Sequence, residues 1–187
     1  MNVTDPSESS LRWYLRPVFA RQRRRFGQLL KPALVWARVP PLFAALSLFN
    51  AALNRRASPL APALRSLVQI RVSQLNHCAF CIDLNEALAA ERSGAIDKAL
   101  TVSQWRDRDA FDATERVALE YAEAMTDSAG RVDAGLMARL RAHFDEPALI
   151  ELTALIAFQN LSSKFNAALD IPSQGLCTPA RSKRPSP

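Results

Sequence analysis

Two of the chain's three cysteines, Cys78 and Cys81, stand three positions apart in the run NHCAFCIDLNEALAAERSG. On a helix, residues i and i+3 share a face, and their Cα separation lies in the range that a disulfide spans. The pair can therefore close and reopen with little backbone movement. In the first turn of a helix, unpaired N–H groups and the helix dipole favour the thiolate, which is the attacking form. A redox dithiol is one reading of the pair. A buried, reduced pair of small apolar residues is the other, and spacing alone does not choose between them. His77 is a candidate base by residue type, although adjacency sets it about 100° around a helix from Cys78. Asp83 and Glu86 read as solvated carboxylates. A zinc site would need His77, Cys78, Cys81 and distant Cys177 together. Adjacent His and Cys on one helix rarely aim at one ion, and no second CxxC and no HxxxH is present, so neither a metal nor a cofactor is expected. Cys177 reads as a packed tail residue.

The elements that must position these residues read as helices. The chain of 187 residues holds only five glycines, and no segment shows the period-two alternation of strands, so an all-α fold is expected. Residues 17–38 form a helix kinked or interrupted at Pro32, and residues 41–54 form a second one after Pro40-Pro41. In residues 62–75, Leu64, Leu67, Val68, Val72 and Leu75 keep the spacing of a buried helical stripe. The cysteine helix follows and stops near Gly94. A short helix over residues 95–104 precedes one opened by Asp112 and Glu115 at capping-box spacing. Asp133 caps the next, and Asp145-Glu146-Pro147 opens the longest, which ends before Pro172. Trp13, Trp36 and Trp105 read as packing anchors, and Gln159, Asn160 and Asn166 as polar bonds inside a bundle or between subunits. Residues 1–10 are a disordered N-terminus, 11–58 a basic helical extension, 59–172 the main domain and 173–187 a mobile tail.

The +6 formal charge is unevenly spread. Residues 1–60 carry ten Lys/Arg against Asp5 and Glu8, whereas residues 61–180 carry eleven against sixteen Asp/Glu. The main domain is therefore acidic, and the basic arm, in which Arg21, Arg23, Arg24 and Arg25 alternate with apolar residues, is expected to pack on its own domain or on another subunit. No nucleic-acid motif accompanies it, and nucleic acid is not an expected partner. The most apolar stretch, PPLFAALSLFNAAL, falls short of the ~20 residues of a spanning helix, so no transmembrane segment is expected. The first residues lack the pattern of a secretory signal, which points to a cytoplasmic location.

The run LRSLVQIRVSQLNHCAFCIDLNEALA resembles the signature of the AhpD-like (alkylhydroperoxidase D-like) proteins of the carboxymuconolactone decarboxylase family. The resemblance continues through WRDRDAFDATERVALEYAEAMT and HFDEPALIELTALIAFQN, over about residues 60 to 170. It implies an AhpD-like helical bundle, here with an added N-terminal helical pair, assembled as a homo-oligomer of three or more chains. It also implies hydroperoxide reduction at the expense of an external dithiol or thiol-protein reductant, or service as a thiol carrier for partner proteins. Carried over, Cys81 is the peroxide-attacking cysteine, and Cys78 is the resolving one, more accessible to the reductant. The family's relay Glu, twelve residues before the first cysteine, and His, four after the second, are replaced here by Ser66 and Asn85. Neither replacement can deprotonate a thiol near neutral pH, though both can hold a water. The alternative is a member that has lost catalysis and serves as an oligomeric binding or scaffold protein.

Overall fold

In the computed structural model, residues 2–3, 13–93 and 96–177 are described, and among them helices follow one another without a strand. The helices are α1 (Arg16–Phe26), α2 (Lys31–Trp36), α3 (Pro40–Leu53), α4 (Pro62–Leu75), α5 (Ala79–Ser93), α6 (Ile96–Thr101), α7 (Ala113–Thr126), α8 (Ala134–His143) and α9 (Glu146–Ala168). The all-α expectation holds. Several starts are set by side chains that satisfy the unpaired N–H groups of a first turn. Asp112 accepts from the Glu115 N–H at 2.8 Å while the Glu115 carboxylate accepts from the Asp112 N–H at 3.0 Å, a complete capping box. Asp133 and Asp145 cap α8 and α9 through the N–H groups of Leu136 and Ala148.

Helix α4 lies at the centre, packed against α5, α7 and α9. Between residues 64 and 73 every side chain except Arg71 is buried, as expected for a helix with neighbours on all sides. Leu64, Val68 and Val72 join Val117 and Tyr121 of α7 and Leu152 and Ile156 of α9 in one core. Leu67 and Ile70 turn to a second core with Ala89, Ala99, Val102 and Leu119. Full burial of such a side chain is worth ~1.5–3 kcal/mol, enough to hold α4 in one orientation.

The basic arm does pack on its own chain. Residues 17–38 are interrupted rather than kinked, and the break comes at Gly27, whose φ of 75° ends α1, while Pro32 stands in the first turn of α2. Phe19 stacks on Phe43 with ring centroids 5.7 Å apart, while Trp36 stacks on Phe165 of α9 at 3.7 Å. Phe49 meets Phe158 edge-on at 5.3 Å, so α3 is also tied to α9. Trp105 is buried as anticipated, but Trp13 is 77% exposed and meets Tyr14 edge-on with ring centroids 6.0 Å apart. The expectation for residues 1–10 falls outside the described residues apart from Asn2 and Val3; the Asn2 N–H donates to the Leu169 carbonyl at 2.8 Å. Gly94 and residues 178–187 also lie outside them. Among the described residues no helix is long and apolar enough to cross a membrane.

Candidate active site

The cysteine pair occupies the turn from α4 to α5, and the turn explains its geometry. His77 takes the left-handed conformation, φ 52°, one residue after the C-cap Asn76. Its N–H donates to Gln74 O at 3.1 Å and the Cys78 N–H to Ser73 O at 3.0 Å, the paired bonds of a Schellman ending. Such a position usually belongs to Gly or Asn, and His is tolerated there. Cys78 then precedes Ala79, the first residue of α5, in the N-cap position, and its Sγ accepts the Cys81 N–H at 3.2 Å, where a Ser or Asp oxygen commonly serves. Cys81 is the third helical residue. The two sulfurs are bonded, with Cα atoms 5.2 Å apart.

Cys81 borders a cavity of about 240 Å³. Its apolar wall comes from Phe26, Leu30, Phe80, Leu84, Leu88 and Phe158. Asn85, one turn on from Cys81, lines the same cavity and donates its Nδ2 to the Cys81 carbonyl at 2.9 Å. Ser66 does not reach the cavity: it is buried and its hydroxyl donates back to Pro62 O at 3.2 Å, a bond internal to α4. One turn further, Gln69 takes the place beside Cys81 and Asn85 that the sequence had given to Ser66. His77 is exposed and does not line the cavity. The structure thus brings Cys78, Cys81 and Asn85 together, and leaves Ser66 and His77 outside.

Asn166 stands out among the residues now at the site. Its Nδ2 donates to Cys81 Sγ at 3.3 Å, while its Oδ1 is buried without a partner. Asn166 closes a polar seam along the α4–α9 contact. Gln69 Nε2 donates to Gln159 Oε1 at 3.3 Å, Gln159 Nε2 to Ser73 Oγ at 2.9 Å, and Asn76 Nδ2 to Asn160 Oδ1 and Ser163 Oγ at 2.9 Å each. The sequence signal was present: Gln159, Ser163 and Asn166 follow one another at spacings of four and three, a polar stripe on a helix whose other buried positions are apolar except Glu151.

A second departure concerns access. Cys78, expected to face the reductant, is 1% exposed, less than Cys81 at 3%, and lies among Leu30, Val35, Ile171 and Leu176. Helix α9 also ends in a left-handed residue, Asp170 at φ 52°, whose following N–H, that of Ile171, returns to Asn166 O at 3.0 Å. This turn sends residues 171–177 back across α5, so the first part of the expected mobile tail is a strap over the disulfide. Asp83, read as solvated, is its buried anchor. It accepts from Ser173 Oγ at 2.7 Å, the Gln174 N–H at 2.9 Å and the Cys177 N–H at 2.7 Å. Burial pushes the Asp83 carboxyl up, but these donors outweigh it, and the group sits below its ordinary value. Burial and the Asp83 charge push Glu86 up, and burial with the two carboxylates pushes the Cys177 thiol up, which keeps it protonated and unreactive near neutral pH.

The strap's attachment is therefore complete above the ordinary carboxylate range and is lost only as pH falls through the lower folded value of Asp83. Loss of one hydrogen bond to a charged group, at ~1.5 kcal/mol, changes an opening equilibrium about tenfold. Asp83→Ala is thus expected to speed reduction of the Cys78–Cys81 disulfide by tris(2-carboxyethyl)phosphine about tenfold or more at pH 7. Faster hydrogen exchange at the Gln174 and Cys177 amides should accompany it. An unchanged reduction rate would show that the strap does not control access.

Among the described residues no group of three or more His, Cys, Asp or Glu is placed to hold a metal ion. Residues 40–124, from the start of α3 into α7, match the carboxymuconolactone decarboxylase family. Over 172 residues the chain is 48% identical to the uncharacterized protein YnjA of Escherichia coli (strain K12), covering 92% of this chain and 94% of that one. The chain belongs to the carboxymuconolactone decarboxylase family. Solved structures agree with this membership at the level of the fold. The alkylhydroperoxidase AhpD core protein of Ralstonia eutropha JMP134, described as an uncharacterized peroxidase-related protein, superposes with a TM-score of 0.82 at 19% identity, over 92% of each chain. The debrominase Bmp8 superposes at 0.81 with 23% identity, over 93% of this chain and 92% of its own. A variant of Bmp8 with one cysteine replaced by alanine has been solved in complex with 2,3,4-tribromopyrrole. Within the family's helical frame, this chain sets its CxxC at the start of α5 with one sulfur on a cavity.

Proposed function

We propose that this protein is a thiol-dependent oxidoreductase that reduces hydroperoxides with the Cys78/Cys81 dithiol. The observation that carries the reading is the position of Cys81: bonded to Cys78, bordering a cavity, and held at its sulfur by Asn166. In the reduced protein the Cys81 thiolate attacks the outer oxygen of ROOH. The O–O bond breaks, RO⁻ takes a proton and leaves as ROH, and Cys81 becomes a sulfenic acid. The Cys78 sulfur then attacks Cys81, hydroxide leaves and is protonated to water, and the disulfide closes. Two electrons pass from two thiols to the peroxide, and an external dithiol restores them. Asn85 and Gln69, unable to act as bases near neutral pH, hold the substrate or a water. The α4–α5 turn defines His77's part.

Counting alkylatable thiols before and after cumene hydroperoxide tests the reading. Two thiols should be lost and recovered with dihydrolipoamide; retention of both would select the scaffold alternative. A carbon–bromine bond is a second substrate, favoured by the likeness to Bmp8 along nearly the whole chain. There the dithiol would be oxidised while bromide leaves and hydrogen takes its place, so bromide release from a bromopyrrole separates the two reactions. Helix α3 leaves Leu42, Leu48 and Phe49 exposed, which supports the homo-oligomer; light scattering would measure it. His77→Gly is expected to leave the Cys81 alkylation rate unchanged and to raise the urea midpoint, because glycine removes a left-handed strain of up to ~1–2 kcal/mol. A fall in that alkylation rate would instead make His77 a participant in the chemistry.

A further inference from the structure

The polar part of the cavity at Cys81 is made almost wholly of primary carboxamides. Gln69, Asn85 and Gln159 are its buried members, and Gln22 of α1, Asn50 of α3 and the C-cap residue Asn54 contribute from the N-terminal helices. Among the described residues the lining holds no Asp, Glu, His or Lys. Its one ionic side chain, Arg25, is already held by both oxygens of Glu91, at 3.3 and 3.1 Å. Carboxamides donate and accept hydrogen bonds but carry no charge and do not titrate. An anion entering this space would shed water and meet only a cation whose charge the Glu91 carboxylate already balances, a costly exchange. An uncharged molecule incurs no such cost, and the six apolar wall residues suit a ring or branched alkyl body.

The buried carboxamides also have a polarity. Gln69 and Asn85 each commit one amide N–H, to Gln159 and to the Cys81 carbonyl, while no described residue donates to Gln69 Oε1 or Asn85 Oδ1 and neither oxygen is sealed away. Two acceptor oxygens therefore stand free on residues that line the same cavity as Cys81. A ligand reaching Cys81 is best held by an O–H or N–H of its own. The volume, about 240 Å³, lies below the ~300–1,000 Å³ of drug-sized sites, so the ligand is small.

We infer that the Cys81 cavity selects small, uncharged aromatic or branched-alkyl compounds bearing an O–H or N–H donor, and excludes their anionic counterparts. The inference rests on the proposed thiol reaction only for placing such a compound as substrate. Binding to the disulfide form of the full chain tests it without any chemistry. 2-Phenyl-2-propanol, 2-methyl-2-phenylpropanoate and cumene have similar bodies and differ in donor and charge. The alcohol should bind at least about tenfold more tightly than the carboxylate, shifting side-chain amide signals in ¹⁵N spectra, and Gln69→Leu and Asn85→Leu should each erase its advantage over cumene. Equal binding of alcohol and carboxylate, tighter binding of the carboxylate, or no binding of the alcohol would each overturn the inference. If the alcohol binds as expected but cumene hydroperoxide removes no thiols, the redox reading alone fails. If thiols are lost but the carboxylate binds as well as the alcohol, the selectivity alone fails.

Discussion

Replacing Cys81 by serine should remove hydroperoxide reduction altogether, whereas Cys78→Ser should leave one sulfenic acid per chain and no disulfide. Both sulfurs lie at the start of α5, where unpaired N–H groups and the dipole favour a thiolate, so the helix terminus does not distinguish them. Access and hydrogen bonding do. Cys81 borders the cavity and receives the Asn166 N–H, while Cys78 sits under the strap among Leu30, Val35, Ile171 and Leu176. A peroxide in the cavity therefore meets Cys81 first, and Cys78 meets only the product of that attack. A hydroxyl is far too weak an acid to supply the nucleophile near neutral pH, so no residual route remains in Cys81→Ser. Dimedone trapping with mass spectrometry reads the outcome: one adduct, on Cys81, in Cys78→Ser and none in Cys81→Ser. Equal trapping in both single variants would reverse the assignment of roles or dissolve it.

What the sequence disclosed of this site, and what it withheld, follows from the range of each signal. Local signals were legible. Asp112 and Glu115 meet within one turn, the stripe of Leu64, Val68 and Val72 repeats along one helix, and Cys78 and Cys81 face each other at i and i+3. Contacts between distant segments were not. Asp83 looked solvated because its donors lie some ninety residues away, in a polar stretch indistinguishable by composition from a free tail. The same strap, with α2, buries Cys78, which reversed the expected order of exposure. Ser66 and Gln69 both belong to the buried part of α4, and counting residues from the cysteines cannot show which of two neighbouring turns borders a cavity whose other walls come from α1, α3 and α9.

The second large effect is expected at Asn166, which the sequence marks as a polar bond in a bundle and the fold places against the Cys81 sulfur. Its side chain is split in function: Nδ2 donates to Cys81 Sγ at 3.3 Å, and Oδ1 is buried with no partner. A buried, unsatisfied carbonyl oxygen costs ~1–3 kcal/mol, so the side chain is not justified by folding alone. The backbone role is separable, since the bond from the Ile171 N–H to Asn166 O at 3.0 Å survives any side-chain change. In the reduced protein the Nδ2 donor faces a sulfur that can carry a full negative charge, and a hydrogen bond to a charged group is worth ~1.5–3 kcal/mol. Its removal in Asn166→Ala should make the reduced Cys81 thiol a weaker acid, because the thiolate loses a hydrogen bond that the thiol does not need. At neutral pH the alkylation rate should then fall roughly tenfold to a hundredfold, with the plateau at high pH nearly unchanged. Asn166→Asp should fall at least as far, because an anion beside the sulfur opposes the thiolate. The profile is best followed with iodoacetamide in a Cys78→Ser, Cys177→Ser background, where Cys81 is the single thiol. A urea midpoint that holds while the alkylation midpoint moves upward identifies Asn166 as a residue that positions and charges the sulfur. A midpoint of alkylation left where it was would place Asn166 in the packing of α9 and nothing more.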